Sequence, residues 1–199
     1  EAEARDLAEK SGVAHVETLG ADGTGSLTEG AAAEGSDCET APAKADDIAA
    51  ILYTSGTTGR SKGAMLSHGN LASNALVLHE AWGFEPSDVL LHALPIYHTH
   101  GLFVATNTVL LNGTAMIFLA KFDPRQVMDL LPRATVFMGV PTLYVRLLEQ
   151  EDFGAETCRA MRLFVAGSAP LLPQTFEEFS ARTGHTVLER YGMTEAGMI

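Results

Sequence analysis

The stretch YTSGTTGRSKGAMLSH, Tyr53 to His68, gathers the groups that an anion needs. Glycine lets backbone N–H groups come close to a charged oxygen. The hydroxyls of Thr54, Ser55, Thr57 and Thr58 add donors, and Lys62 adds a full positive charge. Such a set suits a polyphosphate. Its spacing is not that of the nucleotide loop Gly-x-x-x-x-Gly-Lys-Ser/Thr: Gly56 and Gly59 stand too close together, and Gly63 follows Lys62 where a hydroxyl residue belongs. A glycine-rich turn without a ligand would carry the same glycines, but it has no need of so many hydroxyls.

Three further segments hold groups capable of chemistry. LPIYHTHG carries His98 and His100. A His-x-His on a strand puts both rings on one face, as metal ligands would stand, yet no third ligand is near and His92 falls in the preceding apolar run. GSAP, from Gly167 to Pro170, is a small-residue turn. RYGMTE, from Arg190 to Glu195, brings a guanidinium, a phenol, a hydroxyl and a carboxylate close together. Glu195 can hold a hard cation or stand solvated. Arg190 can neutralise a carboxylate bidentately or pair with Glu189. Tyr191 can stack on a ring or fill the core.

The elements that must position these residues alternate. IAAILY is expected as a buried strand. HGNLASNALVLHEAW places Leu71, Ala75, Leu78 and Trp82 on one helical face, with Ser67 as N-cap and Gly83 as stop. VLLHAL, AMIFLA, TVFMGV, RLFVAGS and TVLERYG read as strands. GLFVATNTVLL reads as a buried helix ended at Asn112-Gly113, and helices open at Pro124, Pro141 and Pro173, the last stopped by Gly184. Alternation with strands apolar from end to end predicts an α/β fold: a mostly parallel sheet flanked by helices. Ligands in such sheets bind beyond the carboxyl ends of the strands, where all four candidate segments fall. One shared cleft is the expectation.

The 199 residues carry a net charge of −12, which argues against nucleic acid as a partner. The charge is uneven: residues 1–47 hold 12 acidic and 3 basic side chains, the remainder 13 and 10. Residues 1–45 are read as an acidic leading segment and linker, with TLGADGTGSLTEGAAAEGSD as a surface loop, and residues 46–199 as the core. Cys38 and Cys158 lack motif spacing and read as free thiols in a reducing compartment. No apolar run is long enough for a membrane span and no secretory leader is visible, so the cytoplasm is expected. The chain begins without Met and reads as a piece of a longer protein.

YTSGTTGRSKGAMLSHGNL resembles the phosphate loop of the AMP-forming acyl-CoA synthetases, the adenylate-forming superfamily. LPIYHTHG is similar to the Pro-x-x-His motif at the acyl pocket of that family, VAGSAPL to the segment beside the adenine, and YGMTE to the stretch that holds nucleotide and magnesium. The resemblance is nearer still to malonyl-CoA synthetases through ALPIYHTHGLFVATN, MIFLAKFDP, MGVPTLY and LERYGMTE, and runs loosely through VETLGADGTGSL. It implies part of the large N-terminal domain of the adenylate-forming fold. It also implies ATP, Mg2+ and coenzyme A as cofactor and co-substrates, and a two-step reaction through an acyl-adenylate.

By resemblance, Thr54, Ser55, Gly56, Thr57, Thr58, Gly59 and Lys62 hold the β- and γ-phosphates, and Thr194 meets the α-phosphate. Glu195, with Thr58, binds magnesium. Tyr191 and Gly192 meet the adenine, with Gly167, Ser168, Ala169 and Pro170 along its other edges. His98 is the gate of the acyl tunnel; His100 and Ser168 line the acyl pocket. Arg190 matches an arginine of malonyl-CoA synthetases and implies a dicarboxylate, malonate first and methylmalonate as a tolerated relative. Ala196 stands where the family usually has Thr. The family's ribose-binding aspartate and its C-terminal domain with a catalytic lysine are absent from these residues, so the chain alone is expected not to complete the reaction. An acyl-CoA synthetase for another short acid, a non-catalytic nucleotide-binding module and a ligand-free α/β domain are the rival readings.

Overall fold

The computed structural model describes residues 2–54 and 60–198. The chain divides into two compact units, Glu1–Pro42 and Ala43–Ile199. In the first, helix α1 spans Ala2–Lys10 and α2 spans Ser26–Ala33. The second helix corrects the expectation of a surface loop. Thr18 N–H donates to Ser26 Oγ at 2.9 Å and Ser26 N–H to Thr18 Oγ1 at 3.1 Å, which closes the glycine-rich turn. The Ala31–Ala33 run then favours helix. No residue of α2 is buried, so no apolar stripe announced it.

The second unit opens with a hairpin, β1 (Ile48–Thr54) antiparallel to β2 (Lys62–Ser67). IAAILY is therefore not the buried strand expected: Ile51 and Tyr53 are exposed, Tyr53 to 76%. An apolar run alone cannot tell a buried parallel strand from one arm of a hairpin. Helix α3 (His68–Ala81) follows at once. Ser67 caps it by accepting from Asn70 N–H while Asn70 Oδ1 accepts from Ser67 N–H, both at 3.1 Å. Gly83, with φ 56°, ends it.

A five-stranded parallel sheet forms the centre. Its strands are β3 (Val89–His92), β4 (Ala115–Phe118), β5 (Val136–Gly139), β6 (Leu163–Ala166) and β7 (Val187–Glu189), in spatial order β4-β3-β5-β6-β7. Between β3 and β4 a π-helix, His100–Ala105, runs on into α4 (Thr106–Asn112), where one plain helix was expected. Helices α5 (Pro124–Leu130), α6 (Pro141–Leu148) and α7 (Pro173–Thr183) link the remaining strands, each with proline in its first turn. From β3 the chain steps outward to β4; from β5 it steps the other way to β6 and β7. A topological switch point thus lies beyond the carboxyl ends of β3 and β5. A last small hairpin joins β8 (Gly192–Met193) to β9 (Gly197–Met198).

The core on the α6–α7 side is aromatic. Phe164 packs edge-on against Phe137, Tyr144 and Phe179, with ring centroids 4.9–6.5 Å apart. Tyr144, fully buried, donates its hydroxyl to Val165 O at 2.6 Å. The amino ends of the strands are tied by one polar cluster. Asp88 accepts from Arg162 Nε and Thr135 Oγ1, each at 2.7 Å, from Glu85 N–H at 2.8 Å, and from Arg162 Nη2. Burial pushes the Asp88 carboxyl up, but these hydrogen bonds outweigh it and hold it below the ordinary carboxylate value. Replacing Asp88 by Ala strands Arg162, which keeps 35% of its side chain in solvent and so recovers part of the loss. Urea denaturation is expected to show a loss of about 2–3 kcal/mol.

Candidate active site

The carboxyl ends of the sheet carry the site. At β3, the buried His92 ring organises the turn. Leu94 N–H donates to its Nδ1 at 3.2 Å, which leaves the proton on Nε2 to be donated to Gly101 O at 2.9 Å. Thr106 Oγ1 donates to the same carbonyl at 3.0 Å. Gly101 must be glycine: a Cβ there would stand 2.3 Å from Pro95 O. The chain between these anchors is a turn entering a π-helix, which separates the two histidines. His98 is exposed, with its ring 4.6 Å from that of Tyr97, while His100 is only 5% exposed. The one-face His-x-His geometry expected of a strand is therefore not formed.

A cleft of about 580 Å³ lies over the switch point. His98 and His100 reach it from the turn after β3, Val140 from the end of β5, Ser168 from the end of β6, and Gly192, Thr194 and Glu195 from the last hairpin; Thr54 lines it as well. Ser168 holds a left-handed backbone, φ 70°, uncommon for a residue with a side chain. Its Oγ lies 3.5 Å from His100 Nδ1. Gly167, just before it, has no room for a Cβ, which would meet Met198 Cε at 2.7 Å and His100 Cε1 at 3.3 Å. His100 Nε2 is buried and has no hydrogen-bond partner among the described residues.

A second cavity, about 500 Å³, lies against α3. Arg190 lines it, and so do Glu195, Thr99, Gly197 and Met198, which also line the first cleft. Arg190 does not pair with Glu189, whose Oε2 accepts from Leu171 N–H at 3.2 Å. The guanidinium instead lies 5.9 Å from the Trp82 ring centroid, and Arg190 Nε is buried without a partner among the described residues. The two cavities adjoin through the last hairpin, so the single crevice expected is divided by it.

Other expected positions stand apart. Lys62 is exposed and lines neither cavity; it lies opposite Thr54 across the first hairpin. Tyr191 is 69% exposed, neither a core residue nor a wall of either cavity. Ala169 and Pro170 are exposed beside Ser168. Ser55, Gly56, Thr57, Thr58 and Gly59 lie outside the described residues. Sequence reasoning missed His92 as the anchor of the turn, and Thr99, Met198 and Asn74 as site residues. Asn74 carried a legible signal: it falls between Leu71 and Leu78 on the inward face of α3, where a polar side chain requires a partner.

Glu195, Thr194 and Thr54 share the first cleft and carry oxygen atoms of the kind a hard cation takes. Burial, and secondarily the neighbouring His92, pushes the His100 imidazole down to about 4, and burial lowers His92 too. The folded chain thus holds both rings neutral, and unfolding takes up protons below their ordinary value of 6.5. Stability is full above pH 6.5 and falls as the pH drops toward about 4. Between pH 7 and pH 5 the His100 share is about 2 kcal/mol. Denaturant midpoints measured across this range are expected to slope downward, and His100→Gln to flatten the slope.

Residues 1–199 match the model of the AMP-binding enzyme family. The chain is 42% identical over 169 residues to a mitochondrial malonate–CoA ligase of Mus musculus, and 39% identical over 170 residues to a malonate–CoA ligase of Arabidopsis thaliana. These alignments cover 77% and 75% of this chain but 29% and 28% of the relatives, so the chain spans under a third of their length. Among solved structures, ATP-bound MatB of Rhodopseudomonas palustris superposes with a TM-score of 0.95 at 60% identity, over 99% of this chain and 39% of that one. A malonyl-CoA ligase holding methylmalonyl-CoA and AMP superposes with a TM-score of 0.75 at 37% identity, over 80% of this chain and 36% of that one. A parallel sheet with a cleft at its switch point, and a family match along its whole length, make this chain a member of the AMP-binding enzyme family.

Proposed function

We propose that this chain is the nucleotide- and acyl-binding part of an ATP-dependent malonate–CoA ligase. A malonate oxygen attacks the α-phosphorus of ATP, that P–O bond forms as the bond to pyrophosphate breaks, and malonyl-adenylate results. The thiol of coenzyme A then attacks the acyl carbon and AMP leaves. The observation that carries this reading is the adjoining pair of cavities. One gathers His98, Ser168, Thr194 and Glu195, and the other is lined by the half-buried Arg190, whose Nε has no hydrogen-bond partner among the described residues. A monocarboxylate would leave that guanidinium unanswered; the second carboxylate of malonate, or of methylmalonate, would meet it.

In this reading Thr194 faces the α-phosphate, while the Thr54–Gly59 loop and Lys62, which pairs with Thr54 at the loop end of the hairpin, hold the β- and γ-phosphates. Glu195 and Thr58 would hold Mg2+, which supplies neutralisation of the triphosphate charge. Tyr191 and Gly192 face the adenine, with Gly167, Ser168, Ala169 and Pro170 beside it; the exposure of Tyr191 leaves its ring free to stack. His98 stands at the mouth of the acyl path, and His100, held neutral, lines its wall. No helix among the described residues is long and apolar enough to cross a membrane. We assign the protein to the cytoplasm, with Cys38 and Cys158 as free thiols; cell fractionation tests this against the mitochondrial placement named for the mouse relative.

The test is a panel of carboxylic acids with ATP and coenzyme A, applied to the full-length ligase to which this reading assigns the chain. Malonate is expected to give the highest kcat/KM. Arg190→Ala should reduce kcat/KM for malonate by about 100-fold, the loss expected for removing one partner of a buried charge pair, while the KM for ATP moves little. Unchanged malonate use in that variant would remove the dicarboxylate assignment. Mg-ATP binding without pyrophosphate release for any acid would point to a non-catalytic nucleotide module.

A further inference from the structure

The wall between the two cavities is a hairpin of two paired residues on each side, Gly192–Met193 and Gly197–Met198, closed by Ala196 N–H donating to Met193 O at 3.1 Å. So short a ribbon is not stable by itself. Its support comes from α3. Asn74 Nδ2 donates to Met198 O at 2.6 Å, and Met198 N–H donates to Asn74 Oδ1 at 3.3 Å. One side-chain amide therefore satisfies both backbone groups of Met198, as a third strand would. The fit is close: Gly197 has φ 74°, and a Cβ there would stand 2.9 Å from Asn74 Oδ1. A Cβ at Gly192 would stand 2.7 Å from Gly197 O. Met198, only 4% exposed, abuts Gly167 with its Cε.

We propose that Asn74 is a positioning residue: by pairing with the Met198 backbone it fixes the last hairpin, and with it Thr194 and Glu195, at the boundary of the two cavities. It touches no reacting atom; it acts through the hairpin. Its consequence for nucleotide rests on the ligase reading above. A hairpin free to swing would move the Glu195 carboxylate, so Asn74 matters most when a cation is engaged.

Two measurements on the full-length ligase that contains this chain separate the claims. In hydrogen–deuterium exchange, Asn74→Leu should speed exchange of the Met198 amide about tenfold, while the β5 and β6 amides stay as in the unmodified chain. Asn74→Asp keeps the acceptor for Met198 N–H but turns a carboxylate oxygen on Met198 O, so it should restore only part of that protection. Equal exchange at Met198 in Asn74→Leu and the unmodified chain overturns the proposal. If Asn74→Leu also loosens the sheet, Gly197→Ala attacks the same contact from the hairpin side and decides. In calorimetry with ATP, Asn74→Leu should weaken affinity about tenfold with Mg2+ present and within twofold in EDTA. Equal weakening in both would reduce Asn74 to general support and overturn its link to Glu195. If the unmodified full-length ligase binds no ATP, the ligase reading fails, and the exchange result still decides the positioning claim.

Discussion

One backbone carbonyl, that of Gly101, holds the working end of this molecule together. It accepts from the His92 ring and from Thr106, so the last residue of a central strand, the turn after it and the helix beyond are joined at one atom. The join demands glycine, because the backbone passes within touching distance of Pro95 O. It also demands a neutral His92, since its Nδ1 must accept from Leu94 while Nε2 donates. Burial supplies that neutrality by lowering the affinity of the ring for a second proton. The π-helical turn follows from the same constraint. The chain must rotate His100 inward and leave His98 outward within three residues, and the wider helix does so.

Stability and function occupy opposite ends of the sheet. At the amino ends, Asp88, Thr135 and Arg162 complete one another's hydrogen bonds and join β3, β5 and β6. At the carboxyl ends the side chains are left incomplete: His100 Nε2, Thr99 Oγ1 and Arg190 Nε are buried without partners among the described residues. Trp82 Nε1 and Thr114 Oγ1 are also buried without partners among the described residues, but only the other three belong to residues that line the adjoining cavities, where ligand atoms would complete them. Ser168 adds backbone strain at the same end. It is held by regular ties on either side: Gly167 N–H to Gly139 O at 3.1 Å and Arg190 N–H to Ala166 O at 2.8 Å.

The central sheet and its helices were legible because burial and capping write themselves into residue order. Asp123-Pro124, Pro141, Pro173 and the glycines at 83, 113 and 184 mark helix ends at the positions found. Strand alternation placed ligands at the carboxyl ends of the strands; the switch point itself depends on the spatial order β4-β3-β5-β6-β7, which alternation does not reveal. What was illegible depends on pairing. KGAMLS has few strand-favouring residues, so β2 went unread, and with it the hairpin that leaves β1 exposed. Helix α2 buries nothing and so carries no periodic stripe. The division of the crevice could not be seen either, because it depends on a short hairpin whose Met198 is bonded by Asn74, a residue 124 positions away.

That division makes the two sites interdependent. Glu195 lines both cavities, and Arg190 lines only the second. An anion entering the Arg190 cavity feels attraction from the guanidinium and repulsion from Glu195. A cation held by Glu195 on the other side would cancel the repulsion, so occupancy of one cavity favours occupancy of the next. Glu195 is exposed, and solvent screens charges that water can reach. The coupling therefore belongs at the low end of the usual range, about 1 kcal/mol.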